Sequence, residues 1–217
     1  VDELFDHLVE IGQHPREKSD TVTVMEKIGH FLDVENERIF KIHKQLGRTN
    51  REISDFIADE IEIASVLKIA GKKWDGGYVM AGMLGHGDAF VLRDPNGIRP
   101  AFYFEDEEFV VVASERPVIQ TVFDVPYDQV KELDRGNAII IKKNGQVIME
   151  QVRTPRDKKQ CSFERIYFSR GNDAEIYNER KELGKQLVAP VLKSVNNDLK
   201  NTVFSYIPNT AEIAFGG

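Results

Sequence analysis

Apolar positions recur at helical spacing through the first third of the chain and then change to short β-rich segments separated by turn residues. In "DELFDHLVEIG", Leu4, Phe5, Leu8 and Ile11 mark a first helix, with Asp2 as its cap and Gly12 as its stop. A second helix follows Ser19 and Asp20, where Val24, Met25, Ile28, Phe31 and Leu32 share one face. The stripe Ile53, Phe56, Ile57, Ile61 and Leu67 predicts a third helix from Thr49 or Asn50 to about Ala70, with Gly71 just beyond it. From Gly76 onward, residues 78–84, 89–93, 101–104, 109–114, 138–142 and 146–151 read as strands of an antiparallel sheet. The turns "GHGD" and "EDEE" and the pair Asn144-Gly145 supply hairpin connections, and Ser114 caps a short helix reaching Gln120.

The charged, proline-containing stretch "VRTPRDKKQ" at 152–160 has no apolar period and predicts a linker between two parts, 1–151 and 161–217. The second part opens with a strand-like "ERIYFS" and continues with a helix over about 174–188. It ends on a buried strand at 203–207, a turn at 208–210 and a helix starting at Ala211. A strand, turn and helix start is half of a βαβ element. The whole pattern is α+β: helices followed by a multi-stranded antiparallel sheet, then the start of an α/β unit.

Composition removes several function classes. The 217 residues carry 29 Lys and Arg against 36 Asp and Glu, a net charge of −7 with no basic stripe, which argues against nucleic acid as a partner. The apolar runs are strand-length, well short of the roughly 20 residues of a membrane helix, so no membrane role is expected. One cysteine, Cys161, excludes an internal disulfide framework. Together with the lack of a signal peptide, this predicts a cytoplasmic protein. The five histidines show no metal-ligand spacing.

The stretch "RDPNGIRP" at 93–100 suits a type I turn. Asp94 can bond the backbone two residues on, Pro95 presets φ, and Gly97 supplies the exit, with the flanking strands completing a hairpin. As a whole string it resembles the "RDPHGIRP" signature of class II glutamine amidotransferases of the amidophosphoribosyltransferase type, with Asn96 in place of the histidine. Three more matches follow the family's order: "SDT" at 19–21, "VVVASERPVI" at 110–119 and "CSFERIYFSR" at 161–170. Residues 206–215 look like the strand and turn that open a phosphoribosyltransferase domain.

The resemblance implies an N-terminal nucleophile hydrolase domain, layered αββα, that releases ammonia from glutamine. A phosphoribosyltransferase domain then joins that ammonia to phosphoribosyl pyrophosphate, giving 5-phosphoribosylamine at the start of purine synthesis. It further implies Mg2+ for the full-length enzyme and a homo-oligomer. Such chemistry takes an N-terminal thiolate with its own amine as base, plus an Asn-Gly oxyanion pair. Val1 is not a nucleophile, and Asn96-Gly97 and Asn144-Gly145 are turn residues. The chain therefore reads as an internal fragment with no catalytic residue of its own, inactive by itself.

By the same resemblance, Asp20 receives the α-amino group of glutamine, although Ser19 or Asp20 also reads as a helix N-cap. Arg93, Asp94, Pro95, Gly97, Arg99 and Pro100 form a structural signature expected to fix the turn and tie the sheet to nearby loops. Some relatives use a cysteine at the position of Cys161 as an iron–sulfur ligand. A cluster needs about four thiolates, so the resemblance leaves cluster content open. Departures from the family include Val22 after "SDT", "SRGNDAEIYNER" in place of the family's text after the aromatic pair, and a longer helical stretch at 34–73. Competing readings are another class II amidotransferase or a non-catalytic glutaminase-like module that binds or regulates.

Overall fold

The computed structural model describes residues 1–217 and contains the expected α+β mixture. Two helices run as predicted, α1 (Asp2–Glu10) and α2 (Asp20–Gln45). The predicted third helix is two: α3 (Asn50–Glu60) and α4 (Ile63–Ala70), separated where Ile61 takes an extended ψ of 123°. Thr49 opens α3 with a full capping box. Its hydroxyl accepts from the Glu52 N–H at 3.4 Å while the Glu52 carboxylate accepts from the Thr49 N–H at 2.8 Å.

Strands β1 (Val79–Met83), β2 (Ala89–Arg93), β3 (Phe102–Glu105) and β4 (Val110–Ala113) lead to helix α5 (Arg116–Phe123). The short β5 (Lys131–Glu132) had no sequence signal, and β6 (Asn137–Ile141) and β7 (Val147–Gln151) follow. The hairpins β1–β2, β3–β4 and β6–β7 form on the expected turns, but the strands divide into two antiparallel sheets, ordered β1-β2-β6-β7 and β4-β3-β5. The expected hairpin across "RDPNGIRP" is thus corrected. The turn is there, yet β2 pairs with β1 and β6 while β3 pairs with β4 and β5, so the loop passes from one sheet to the other.

The chain forms two compact units, each assembled from two segments: 1–97 with 134–158, and 98–133 with 159–217. They are discontinuous in sequence and so differ in kind from the linear parts 1–151 and 161–217, although the joint after Lys158 falls inside the charged stretch 152–160.

In the first unit, α4 and α2 cover one face of the four-stranded sheet. Phe90 opposes Ile140 and Leu92 opposes Ala138 across β2 and β6, and all four join Ile63, Leu67, Ala70 and Trp74 in one core. Burying each large aliphatic chain there contributes about 1.5–3 kcal/mol. Gly82 on β1 faces Phe90, whose ring would lie 2.5 Å from any added Cβ, so only glycine admits that ring.

In the second unit, α5 packs on the three-stranded sheet through Ile119 against Phe102, Phe104 and Val130. Helix α5 begins after Glu115 without a side-chain cap, so the expected capping by Ser114 is not seen. "ERIYF" (Glu164–Phe168) folds as a π-helical turn instead of a strand. Helix α6 (Ala174–Ser194) runs six residues beyond its expected end and packs on α7 (Glu212–Phe215). Residues 203–207, expected as a buried strand, form none, and Val203 and Ile207 are exposed. No strand lies alongside to satisfy their backbone, and an unpaired parallel-type strand has no hydrogen-bonding partner.

Candidate functional site

The signature loop is held by its own backbone and by two other segments of its unit. Asp94 is fully buried; its Oδ1 accepts from the Asn96 N–H at 2.9 Å, and its carbonyl accepts from the Gly97 N–H at 3.2 Å and the Gly136 N–H at 3.1 Å. Pro95 is buried and its carbonyl accepts from the Arg156 N–H at 2.8 Å, while Asn96 Nδ2 donates to the Asp157 carbonyl at 3.0 Å. Arg93, 2% exposed, donates from Nη2 to the Gly97 carbonyl at 3.3 Å. Gly97 sits at φ +64°, and an added Cβ would stand 2.8 Å from Arg135 Cγ. Every one of these contacts is a geometric tie.

In the second unit the other family-like strings meet through charge. Arg99 Nη1 lies 2.8 Å from the Glu164 carboxylate, Arg170 Nε lies 3.0 Å from Glu115, and Arg116 lies 3.6 Å from Asp173. The segments around Arg99, Glu115 and Glu164, separate in sequence, are therefore joined by ion pairs. Pro100 is half-buried beside Arg99, and Cys161 is a half-buried free thiol.

Asp20 lies in the first unit at the rim of an open cleft of ≈ 1500 Å³. The cleft is walled by apolar residues of α2 and β1, among them Val24, Ile28, Leu32 and Met80, and by Phe90 on β2. Here the structure separates two roles that the sequence left joined. Ser19 is the N-cap of α2, its Oγ accepting from the Val22 N–H at 3.4 Å. Asp20 is the first helical residue, exposed, with its carboxylate engaged in no hydrogen bond or ion pair. A free carboxylate beside an apolar cleft can take an ammonium group by a charge-assisted hydrogen bond. Sequence reading missed the cleft's polar back wall, Thr23, Trp74 and Tyr78; Thr23 lies one turn along α2 from Ser19 and passes for an ordinary helix residue.

No group of three or more His, Cys, Asp or Glu side chains converges to hold a metal ion. Cys161, the single cysteine, likewise falls short of the about four thiolates of an iron–sulfur cluster.

No family model matches the chain. Among curated proteins it is 31% identical over 148 residues to the amidophosphoribosyltransferase of Saccharomyces cerevisiae, a match covering 63% of this chain and 28% of that one. To the amidophosphoribosyltransferase of Escherichia coli it is 30% identical over 146 residues, with the same coverage. The fold matches the glutamine phosphoribosylpyrophosphate amidotransferase of B. subtilis solved with ADP and GMP, with TM-score 0.62 at 22% identity over 98% of this chain and 39% of that one. A structure described as the allosteric regulatory enzyme of purine biosynthesis matches at TM-score 0.63, also at 22% identity, over 98% of this chain and 38% of that one. The chain is a relative of the amidophosphoribosyltransferases, spanning a little over a quarter of the length of these curated relatives (28%).

Proposed function

We propose that this chain is the glutaminase-side portion of an amidophosphoribosyltransferase, the enzyme that releases ammonia from glutamine and transfers it to phosphoribosyl pyrophosphate to give 5-phosphoribosylamine. The observation that carries the reading is Asp20. Its match to the family's glutamine-binding aspartate coincides with a carboxylate that the helix cap does not use, at the rim of a cleft. In this reading Asp20 holds the α-ammonium of glutamine and orients the substrate for attack on its side-chain amide. Residues 1–151 then belong to the glutaminase domain, and 161–217 to the beginning of the phosphoribosyltransferase domain. The whole protein works in the cytoplasm as a homo-oligomer on glutamine and phosphoribosyl pyrophosphate.

The nucleophile is not among these residues. The glutaminase step needs a cysteine thiolate at a free N-terminus, whereas Cys161 lies within the chain, in the other compact unit from Asp20. The 217-residue polypeptide accordingly releases no glutamate from glutamine above a protein-free blank.

Asp20→Asn in the full-length enzyme is the decisive experiment. Loss of one charge-assisted bond to the substrate lowers glutamine-dependent kcat/KM by about ten- to a hundredfold, while synthesis from free ammonia stays near wild type. Equal loss of both activities would show Asp20 to be structural and remove the support for this reading.

A further inference from the structure

Behind the back wall of the cleft, hydrogen-bond donors and cations collect with no acceptor to serve them. Lys27, on α2 one turn beyond Thr23, is 3% exposed and has no hydrogen bond or ion pair. Burial, then the nearby charges of Lys73 and Arg153, holds its ammonium below the ordinary lysine value. Arg153, just past β7, has its Nη1 buried without a partner. Its guanidinium packs over Gly71, where an added Cβ would meet Nη1 at 3.1 Å and the Trp74 ring at 3.4 Å.

Three more groups of this kind lie on the cleft wall: Thr23 Oγ1, Trp74 Nε1 and Tyr78 Oη are all buried and unpartnered. Trp74 and Tyr78 meet edge to face at 5.7 Å between ring centres. Burial pushes the Tyr78 phenol up to about 12, so it keeps its proton and can donate. No acid is among the charges acting on Lys27, and Asp20, free at the rim, is not one of its partners. Asp94 accepts from the loop backbone, and Asp75 is a surface residue 4.0 Å from Arg156.

A buried charge normally has a counter-charge, and buried donors normally have acceptors. In this cluster Lys27, Lys73 and Arg153 bring three positive charges to one place, and the neutral donors add up to three more hydrogen bonds. We propose that the cluster of Lys27, Arg153, Thr23, Trp74 and Tyr78, with Lys73 at its margin, is a binding site for one small oxyanion, a phosphate or a carboxylate, entered from the cleft. An oxyanion supplies what the cluster lacks: negative charge, and several lone pairs that can accept from donors arriving from different elements. The inference stands on this geometry alone and does not depend on the glutaminase reading of Asp20.

The test is thermal unfolding of the 217-residue chain at fixed ionic strength, with sodium chloride replaced stepwise by sodium phosphate or by sodium acetate. The unfolding midpoint rises with the anion and saturates. A response to both assigns the site to small oxyanions in general, a response to phosphate alone assigns it to phosphate, and a response to acetate alone assigns it to carboxylates. Lys27→Met, which removes an unpaired charge from the cluster, loses about four-fifths or more of the anion response. Arg153→Met loses it too, whereas Lys200→Met on the exposed surface keeps it. No saturating rise in the wild type, or an equal rise in Lys27→Met, would overturn the site and leave only non-specific screening.

Discussion

The Lys142 ammonium lies 2.5 Å from the carboxylate of Asp88, joining the β1–β2 turn to the end of β6. Asp88 is fully buried, accepts from the Lys143 N–H at 2.7 Å and lies 3.1 Å from His86 Nε2. Burial by itself would raise the Asp88 carboxyl. Hydrogen bonds from Lys142, the Lys143 amide and His86 together outweigh it and hold the group below the ordinary aspartate value.

Asp88→Asn removes the charge from a buried pair and leaves Lys142, 13% exposed, without its counter-ion. The expected loss is about 3 kcal/mol at pH 7, read from urea unfolding. The pH dependence follows from the sign of the shift. A carboxylate whose value is depressed by folding contributes stability that is present above its unfolded value of 3.8 and lost as pH falls through the lower folded value. The gap between wild type and Asp88→Asn therefore stays constant through neutral pH and closes in acid below about pH 4.

Gly97→Ala tests whether the signature loop is mainly geometric. Alanine at φ +64° costs about 1–2 kcal/mol from the left-handed backbone alone. The added methyl must also displace Arg135, whose Cγ would be 2.8 Å away. Asp94→Ala, which leaves the buried Asn96 N–H without its acceptor, costs about 1–3 kcal/mol. Both variants lower the unfolding midpoint and leave the charge-bearing rim of the cleft at Asp20 unchanged.

Periodicity made α1, α2 and all six expected strands legible to within a residue or so, because each buries a single face that the pattern of Leu, Ile, Val and Phe records. It could not see the break at Ile61 and Glu62, since Ile61 and Leu67 fit one helical stripe whether or not the helix is continuous. Nor could it tell that β2 and β3 join different sheets. A type I turn such as Asp94–Gly97 closes a hairpin or opens a crossover with the same residues, and the choice is made by the distant partners β6 and β5. Asp20 was legible only through resemblance. What showed it to be free was the bond from the Val22 N–H to Ser19 Oγ. The donor cluster behind the cleft was invisible, because Lys27 and Arg153 lie on α2 and past β7, 126 positions apart (153 − 27).

Arg116 is the organising cation of the second unit. Its guanidinium lies 4.7 Å from the ring centre of Phe102 and 4.2 Å from that of Tyr127, it bonds the Tyr127 hydroxyl, and it faces Asp173 at 3.6 Å. Asp173 is 5% exposed and caps α6 through the N–H groups of Glu175 and Ile176. Arg116→Met removes that carboxylate's counter-charge but leaves its two bonds from the α6 N–H groups, and with the lost stacking it costs about 2–3 kcal/mol. Arg116→Lys keeps the charge but loses the planar stacking, costing about 1–2 kcal/mol. Chemical unfolding followed by the signal of Tyr127 or a neighbouring probe ranks the two; equal losses would show that stacking, not the pair with Asp173, carries the stabilisation.

Ser19 and Asp20 stand side by side at the start of α2, and their substitutions should diverge. Ser19→Ala removes the acceptor for the Val22 N–H and costs about 1 kcal/mol of stability. It does not alter the charge that faces the cleft. Asp20→Asn breaks no hydrogen bond and loses only the favourable placement of a negative charge at a helix N-terminus, about 0.3–1 kcal/mol at low salt and less at high salt. Unfolding at 20 mM and 500 mM sodium chloride separates them: the Ser19→Ala loss persists in salt, and the Asp20→Asn loss fades. If Asp20→Asn proved as costly as Ser19→Ala at both salt concentrations, the carboxylate would be serving the helix after all. Its availability to an ammonium-bearing substrate, on which the functional reading rests, would fall with it.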